Sequence, residues 1–204
     1  MLSEENIILA SSSPRRTRLL QQIGVPHRAV AVAVDETHPP ELTPPDVVQL
    51  LARRKVEAAI ALGARGFIIG ADTLVAIDGS LLGKPRDKED ARLMMERLQG
   101  RRHDVYSGVA VRSTATGMER CGYSHVTVWM RDIPDVEIAA YVASGEPLDK
   151  AGAYSIQGIG AIFVERLYGD YYAVVGLPLE RTVSFLRDLG CAWRTASAVE
   201  QKSV

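Results

Sequence analysis

Apolar residues recur along this chain at two spacings, and the switches between them mark its elements. Asn6 to Ala10 is a short apolar run that predicts a buried strand. Ser11-Ser12-Ser13-Pro14 then predicts a helix start, with Ser13 as N-cap and Pro14 as the first helical residue, where its missing N–H does no harm. That helix runs to Ile23 and Gly24 ends it. Leu19, Leu20 and Ile23 form its apolar stripe, and Arg16, three and four residues before the leucines, falls on that same stripe. His27 to Val34 reads as a strand and leads into Asp35-Glu36-Thr37 and a proline-rich loop. Thr43 caps a helix that ends before Gly63. Within it Val47, Leu51, Lys55 and Ala59 lie four apart, so Lys55 interrupts an apolar ridge.

Phe67-Ile68-Ile69 predicts a second buried strand, which ends on Gly70-Ala71-Asp72-Thr73. Leu74 to Ile77 continues extended, Asp78-Gly79 supplies a hairpin turn, and Leu81-Leu82 runs back to Gly83-Lys84-Pro85. Asp87 caps a helix to Leu98, closed by Gly100. His103 to Arg112 and Cys121 to Met130 are two long strands about a turn near Thr116-Gly117, alternating at Val105, Ser107, Val109 and Val111. Pro134 to Ser144 is a helix, and Glu146 to Gly160 is irregular and glycine-bearing. Phe163 to Leu167 and Tyr171 to Val175 read as a hairpin about Gly169-Asp170, and Pro178 to Leu189 is the last helix. Strands mixed with helices and hairpins imply an α/β fold around a mixed sheet. We expect one domain over residues 1–194 and a mobile tail at 195–204.

Composition narrows the function classes. With 24 Lys and Arg against 25 Asp and Glu, the net charge is -1, so no global field attracts nucleic acid or an anionic membrane. Any anion site must therefore be local. No apolar run approaches the roughly 20 residues of a spanning helix. Met1 to Asn6 carries acids rather than a basic segment, so no secretory signal is expected. Cys121 and Cys191 have no CxxC spacing, which suits a reducing cytoplasm. His27, His38, His103 and His125 are scattered, so an imidazole or thiolate metal site is not expected.

Candidate chemistry begins with Asp72, an acid at the mouth of an apolar strand, where it is costly unless compensated. The hairpin that follows returns Lys84 towards it. Arg16 and Lys55 stand where their helices should be apolar; either they snorkel to solvent or they face a site. Free N–H groups at the helix entry, from Ser11 through Ser13 to Arg16, add a ready anion site. Two tempting motifs fail in context. Gly79 to Pro85 is one residue short of a P-loop and carries Pro where a hydroxyl must bind Mg²⁺, and Gly158-Ile159-Gly160 lacks the third glycine of a dinucleotide fingerprint.

The chain resembles the Maf family of nucleoside triphosphate pyrophosphatases, also called septum-formation-inhibitor-like proteins. The resemblance rests on Leu9 to Arg16 (LASSSPRR), Gly70 to Thr73 (GADT), Lys84 to Asp87 (KPRD), Tyr141 to Gly160, Gly169 to Tyr172 and Val174 to Leu179, in family order along nearly the whole chain. It implies hydrolysis of a nucleoside triphosphate to a monophosphate and pyrophosphate with a divalent metal, Mg²⁺ or Mn²⁺. It further implies a mixed sheet, two lobes with a cleft between them, and a homodimer. Asp72 matches the family's catalytic base, and Glu36, Lys55, Lys84 and Arg16 match its other polar active-site positions. Arg15, Thr73 and Gln157 match the base-reading residues of the branch that prefers dTTP and UTP.

The residue types agree with this chemistry. Reaction at the α-phosphorus places charge on the leaving pyrophosphate, so positioning and electrostatic stabilisation dominate. Arg16, Lys55 and Lys84 supply cations, and Ser11 and Ser13 border the phosphate site. Glu36 and Asp72 offer hard oxygens to a metal, or Asp72 orients the attacking water; the sequence leaves both open. Uracil and thymine share two carbonyl acceptors and one N–H donor, an edge that Arg15, Thr73 and Gln157 can read. Glu146, Asp149 and Lys150 serve either loop pairing or metal approach. Gly83 stands where relatives often carry an acid, and the tail beyond Arg194 matches nothing. The alternative to an enzyme is a non-catalytic nucleotide-binding regulator of cell division, since fold alone never fixes activity.

Overall fold

The computed structural model describes residues 6–192, so the tail expected from residue 195 lies outside the described residues. Ile7–Ala10 (β1) is a fully buried strand, next to the edge of a seven-stranded mixed sheet. Arg28–Val30 (β2) and Phe67–Ile77 (β3) flank it, both parallel to it. Next come Arg102–Ser113 (β5), Glu119–Met130 (β6) and Val164–Tyr168 (β7), each antiparallel to the strand before it. Ser80–Leu82 (β4) folds back antiparallel on the end of β3.

Three strand expectations change. The run from Phe67 to Ile77 is one uninterrupted strand, because β5 pairs with it from Phe67 to Ala76. The strand expected over His27 to Val34 shrinks to Arg28–Val30: its partner β1 stops at Ala10, and the ladder stops with it. The second arm of the expected hairpin, Tyr171–Val175, is instead a short helix (α5). Its aromatic and β-branched residues favour strands. The Asp170 carboxylate overrides them by accepting the Tyr172 N–H at 2.8 Å, an N-cap that turns the chain into a helix.

Pro14–Gln22 (α1) and Pro44–Ala61 (α2) cover opposite faces of the sheet. Along β3, Ile68 packs towards α2, whereas Ile69 and Ala71 pack with Leu19 and Leu20 of α1, as the strand's period of two requires. Gly70 and Gly108 allow α2 to lie directly on the strands. A Cβ at either would sit 2.2 Å from the Ala52 carbonyl or 2.3 Å from that of Val48.

Leu179–Asp188 (α6) joins α1 on the same face of the sheet, lying over β5 and β6. Lys88–Leu98 (α3) and Asp135–Ala143 (α4) enclose a second apolar cluster around the far ends of β3, β5 and β6. Asp87 caps α3 as expected, accepting the Asp90 N–H at 2.8 Å. The glycine-bearing segment after α4 forms three short 3-10 turns, Glu146–Asp149, Ala151–Ala153 and Gly158–Phe163. Val75, Val105 and Tyr154 of one cluster and Val175 of the other both reach a cleft between the two lobes. Among the described residues no helix is long and apolar enough to cross a membrane.

Candidate active site

A gap in the sheet creates the cleft. β1 pairs with β3 only as far as Gly70, and β4 takes up the same edge of β3 only from Val75. Between them Ala71 to Leu74 presents an unpaired edge, facing the entry to α1. A pocket beyond the carboxyl end of a parallel strand is where open α/β sheets bind ligands. This one measures about 300 Å³, at the lower end of the range for small-molecule sites.

Asp72 and Thr73 are neighbours on β3 and therefore point to opposite faces. Asp72 turns towards α2, where it is 6% exposed and paired with Lys55. The Lys55 Nζ also lies 3.4 Å from the Ala71 carbonyl and 3.9 Å from Glu36 Oε1. Lys55 therefore stands between the two carboxylates expected at this site. The charge that breaks the α2 ridge is turned inward, at 12% side-chain exposure, and does not snorkel. Thr73 turns the other way, hydrogen-bonding Ser107 Oγ and standing 3.4 Å from Arg16 Nη2.

Arg16 ties three elements together. Its Nε donates to the Gly176 carbonyl at 2.8 Å, Nη1 to Ser11 Oγ at 3.2 Å, and Nη2 to Thr73. Burial lowers its pKa from the ordinary value, with the charge of Asp72 acting in the opposite sense. Gly176 occupies φ +127°, a conformation that favours glycine, and so presents its carbonyl to the guanidinium. Ser13 sits at the N-cap position as expected, but its side chain makes no capping bond. Ser11 orders the turn instead, its buried Oγ accepting the Ser13 N–H at 3.1 Å.

Lys84 comes back along β4 to line the gap, exposed and without a hydrogen bond or ion pair to any described residue. Arg15 crosses the cleft to Asp149, with Nη1 2.9 Å from Oδ2 and Nη2 3.3 Å from the backbone carbonyl. Lys150 donates to the Glu146 carbonyl at 2.8 Å and also to Asp149. Burial would raise the Asp149 pKa, but hydrogen bonds from Lys150 and Arg15 outweigh it and hold the carboxyl below its ordinary value.

Glu146 is a loop anchor. It accepts the Ile159 and Gly160 N–H groups at 3.0 Å each and the Tyr141 hydroxyl at 3.1 Å. Like Glu146, Gln157 does not line the cleft; its backbone N–H donates to Ser155 Oγ at 3.1 Å, while Ser155 and Ile156 face the pocket. Ser107, fully buried behind Thr73, and the Gly176 carbonyl, which holds Arg16, support the site and were not anticipated. Ser107 had a signal, a hydroxyl at an inward position of an otherwise apolar alternation; a backbone carbonyl has none.

The Maf-like protein family matches residues 6–189, the span that holds every part of the cleft. The chain belongs to the Maf family. A Maf relative from Dictyoglomus turgidum is 48% identical over 91% of this chain and 97% of its own length. Relatives from Pelotomaculum thermopropionicum and Bacillus anthracis are 45% and 46% identical, over 91% and 89% of this chain and 97% and 94% of theirs. All three are named dTTP/UTP pyrophosphatase. Among solved structures, the Staphylococcus aureus Ham1 protein overlaps 76% of this chain and 78% of its own at 15% identity and a TM-score of 0.46, too slight to carry an argument.

Proposed function

We propose that this Maf protein hydrolyses dTTP and UTP between the α- and β-phosphates, releasing the monophosphate and pyrophosphate. The observation that carries this reading is the Lys55–Asp72 pair, a carboxylate held at the lip of a cleft otherwise rich in cations. Relatives with close to half of their residues in common carry that activity in their names.

The triphosphate enters along the unpaired edge of β3. Its phosphates meet the free N–H groups at the first turn of α1, beside Ser11 and Ser13, and the unpartnered ammonium of Lys84. Arg16, committed to Gly176, Ser11 and Thr73, holds that helix end against β3 and adds its charge to the cleft. Asp72 orients the attacking water and takes its proton, with Lys55 fixing the carboxylate and offsetting its charge.

The donor set suits Mg²⁺ or Mn²⁺. Such ions use one or two carboxylates and complete their shell with phosphate oxygens and water. Among the described residues no group of three potential ligands exists, so the protein alone makes no cage. With Asp72 acting as the base, Glu36 would hold the ion together with the substrate's oxygens, and the ion would neutralise charge developing on the pyrophosphate.

The test is a panel of pyrimidine and purine triphosphates assayed for pyrophosphate release, with Mg²⁺ or Mn²⁺ and with chelator. UTP and dTTP should be turned over, chelator should stop the reaction, and Asp72→Asn should lower kcat roughly 10²–10⁴-fold. Nucleotide binding without pyrophosphate from any member of the panel would overturn the reading and leave the regulator in its place.

A further inference from the structure

The acid that crosses the cleft needs a reason. Glu36 and Asp72 have a use at a polyphosphate site, but a third carboxylate beside the phosphates would only repel them. Yet Asp149 is placed there by a firmly built support. The turn that bears it is anchored by the three hydrogen bonds to Glu146. A further tie comes from the Gly152 N–H, which donates to the Gly83 carbonyl at 3.0 Å. Gly152 itself lies at φ +67° with Val75 packed against it, 2.8 Å from where a Cβ would be. A carboxylate held there suits the part of the substrate that carries no negative charge, the base.

Donor and acceptor capacity remains on both sides of the bridge. Arg15 has five N–H donors and spends two on Asp149. The Asp149 carboxylate has about four lone-pair sites and accepts one bond each from Arg15 and Lys150, with its side chain 59% exposed. Side by side they form a donor next to an acceptor that can only accept. Uracil and thymine present the complement, a carbonyl next to N3–H. Cytosine has a bare N3 at that place and offers a donor only one atom further along its edge. That shift is opposed by a triphosphate already fixed at α1.

Resting on the pyrimidine reading above, we propose that Asp149 is a specificity-determining residue, whose carboxylate, held by Arg15, accepts the N3–H of uracil or thymine and rejects cytosine. The Asp149→Asn variant tests it, because an amide can present either a donor or an acceptor. The ratio of kcat/KM for UTP to that for CTP should fall by roughly tenfold or more, since a hydrogen bond to an ionised acceptor is worth at least that factor. Asp149→Glu keeps the acceptor and should hold the ratio within about threefold of the parent, which covers the case in which the amide variant fails to fold. An equal loss on both nucleotides in Asp149→Asn, or a collapsed ratio in Asp149→Glu, would overturn the assignment. The parent reading fails separately, and takes this one with it, if the unaltered protein prefers purine triphosphates.

Discussion

Lys55 shows how one residue decides between packing and chemistry. On α2 it continues a ridge whose other members, Val47, Leu51 and Ala59, are fully or almost fully buried. Removing its charge strands Asp72, a carboxylate with 9% side-chain exposure. Breaking a buried pair from one side costs about 3–5 kcal/mol because the remaining charge is left uncompensated. Lys55→Met should therefore lower the urea midpoint and abolish turnover together, whereas Lys55→Met with Asp72→Asn should recover stability without activity. Arg16 and Lys55 were legible in the sequence because a charge on an apolar stripe breaks a period. Asp149 broke none. Its partner Arg15 stands 134 positions away, and nothing local signals a contact at that separation.

At the scale of elements, the seating of α2 on the sheet sets the distance between Lys55 and Asp72. Gly108, the β5 residue opposite Asp72, has the Val48 carbonyl where a side chain would begin. Gly108→Ala forces α2 outward, and overpacking of this kind costs about 1–3 kcal/mol. A lower denaturation midpoint and a fall in kcat should appear together. Gly83→Ala, where a Cβ meets nothing within 4 Å, should leave the midpoint unchanged within about 0.5 kcal/mol.

Element types were mostly readable because amphipathic periods and caps act locally, as at Asp87 and Pro14. The misread segment, Tyr171–Val175, has strand-forming residues with a helix cap in front of them, and the cap prevailed. The limit of β2 was unreadable from its own residues, because it is set by where β1 ends.

At the scale of the whole molecule, a buried histidine links stability to pH in the mildly acid range. His103, 2% exposed, meets the Tyr154 hydroxyl at 2.7 Å through Nε2, and its buried Nδ1 has no partner among the described residues. Burial lowers its pKa from 6.5 to about 4. Between those values the unfolded chain binds the proton and the folded one does not, so stability falls as pH drops through that window. The full loss is about 3 kcal/mol. Urea unfolding at pH 7 and pH 4.5 should show a shallower fall for His103→Gln than for the parent; equal falls would remove His103 from the account.

The bond from Arg16 to Gly176 spans 160 positions and closes the wall of the cleft. A chain still leaving the ribosome can lay β1 beside β3 long before that carbonyl has been synthesised. Translation must be nearly finished before the first turn of α1 is locked in place, so unfinished or prematurely terminated products carry the cations and the acid yet turn over no nucleotide.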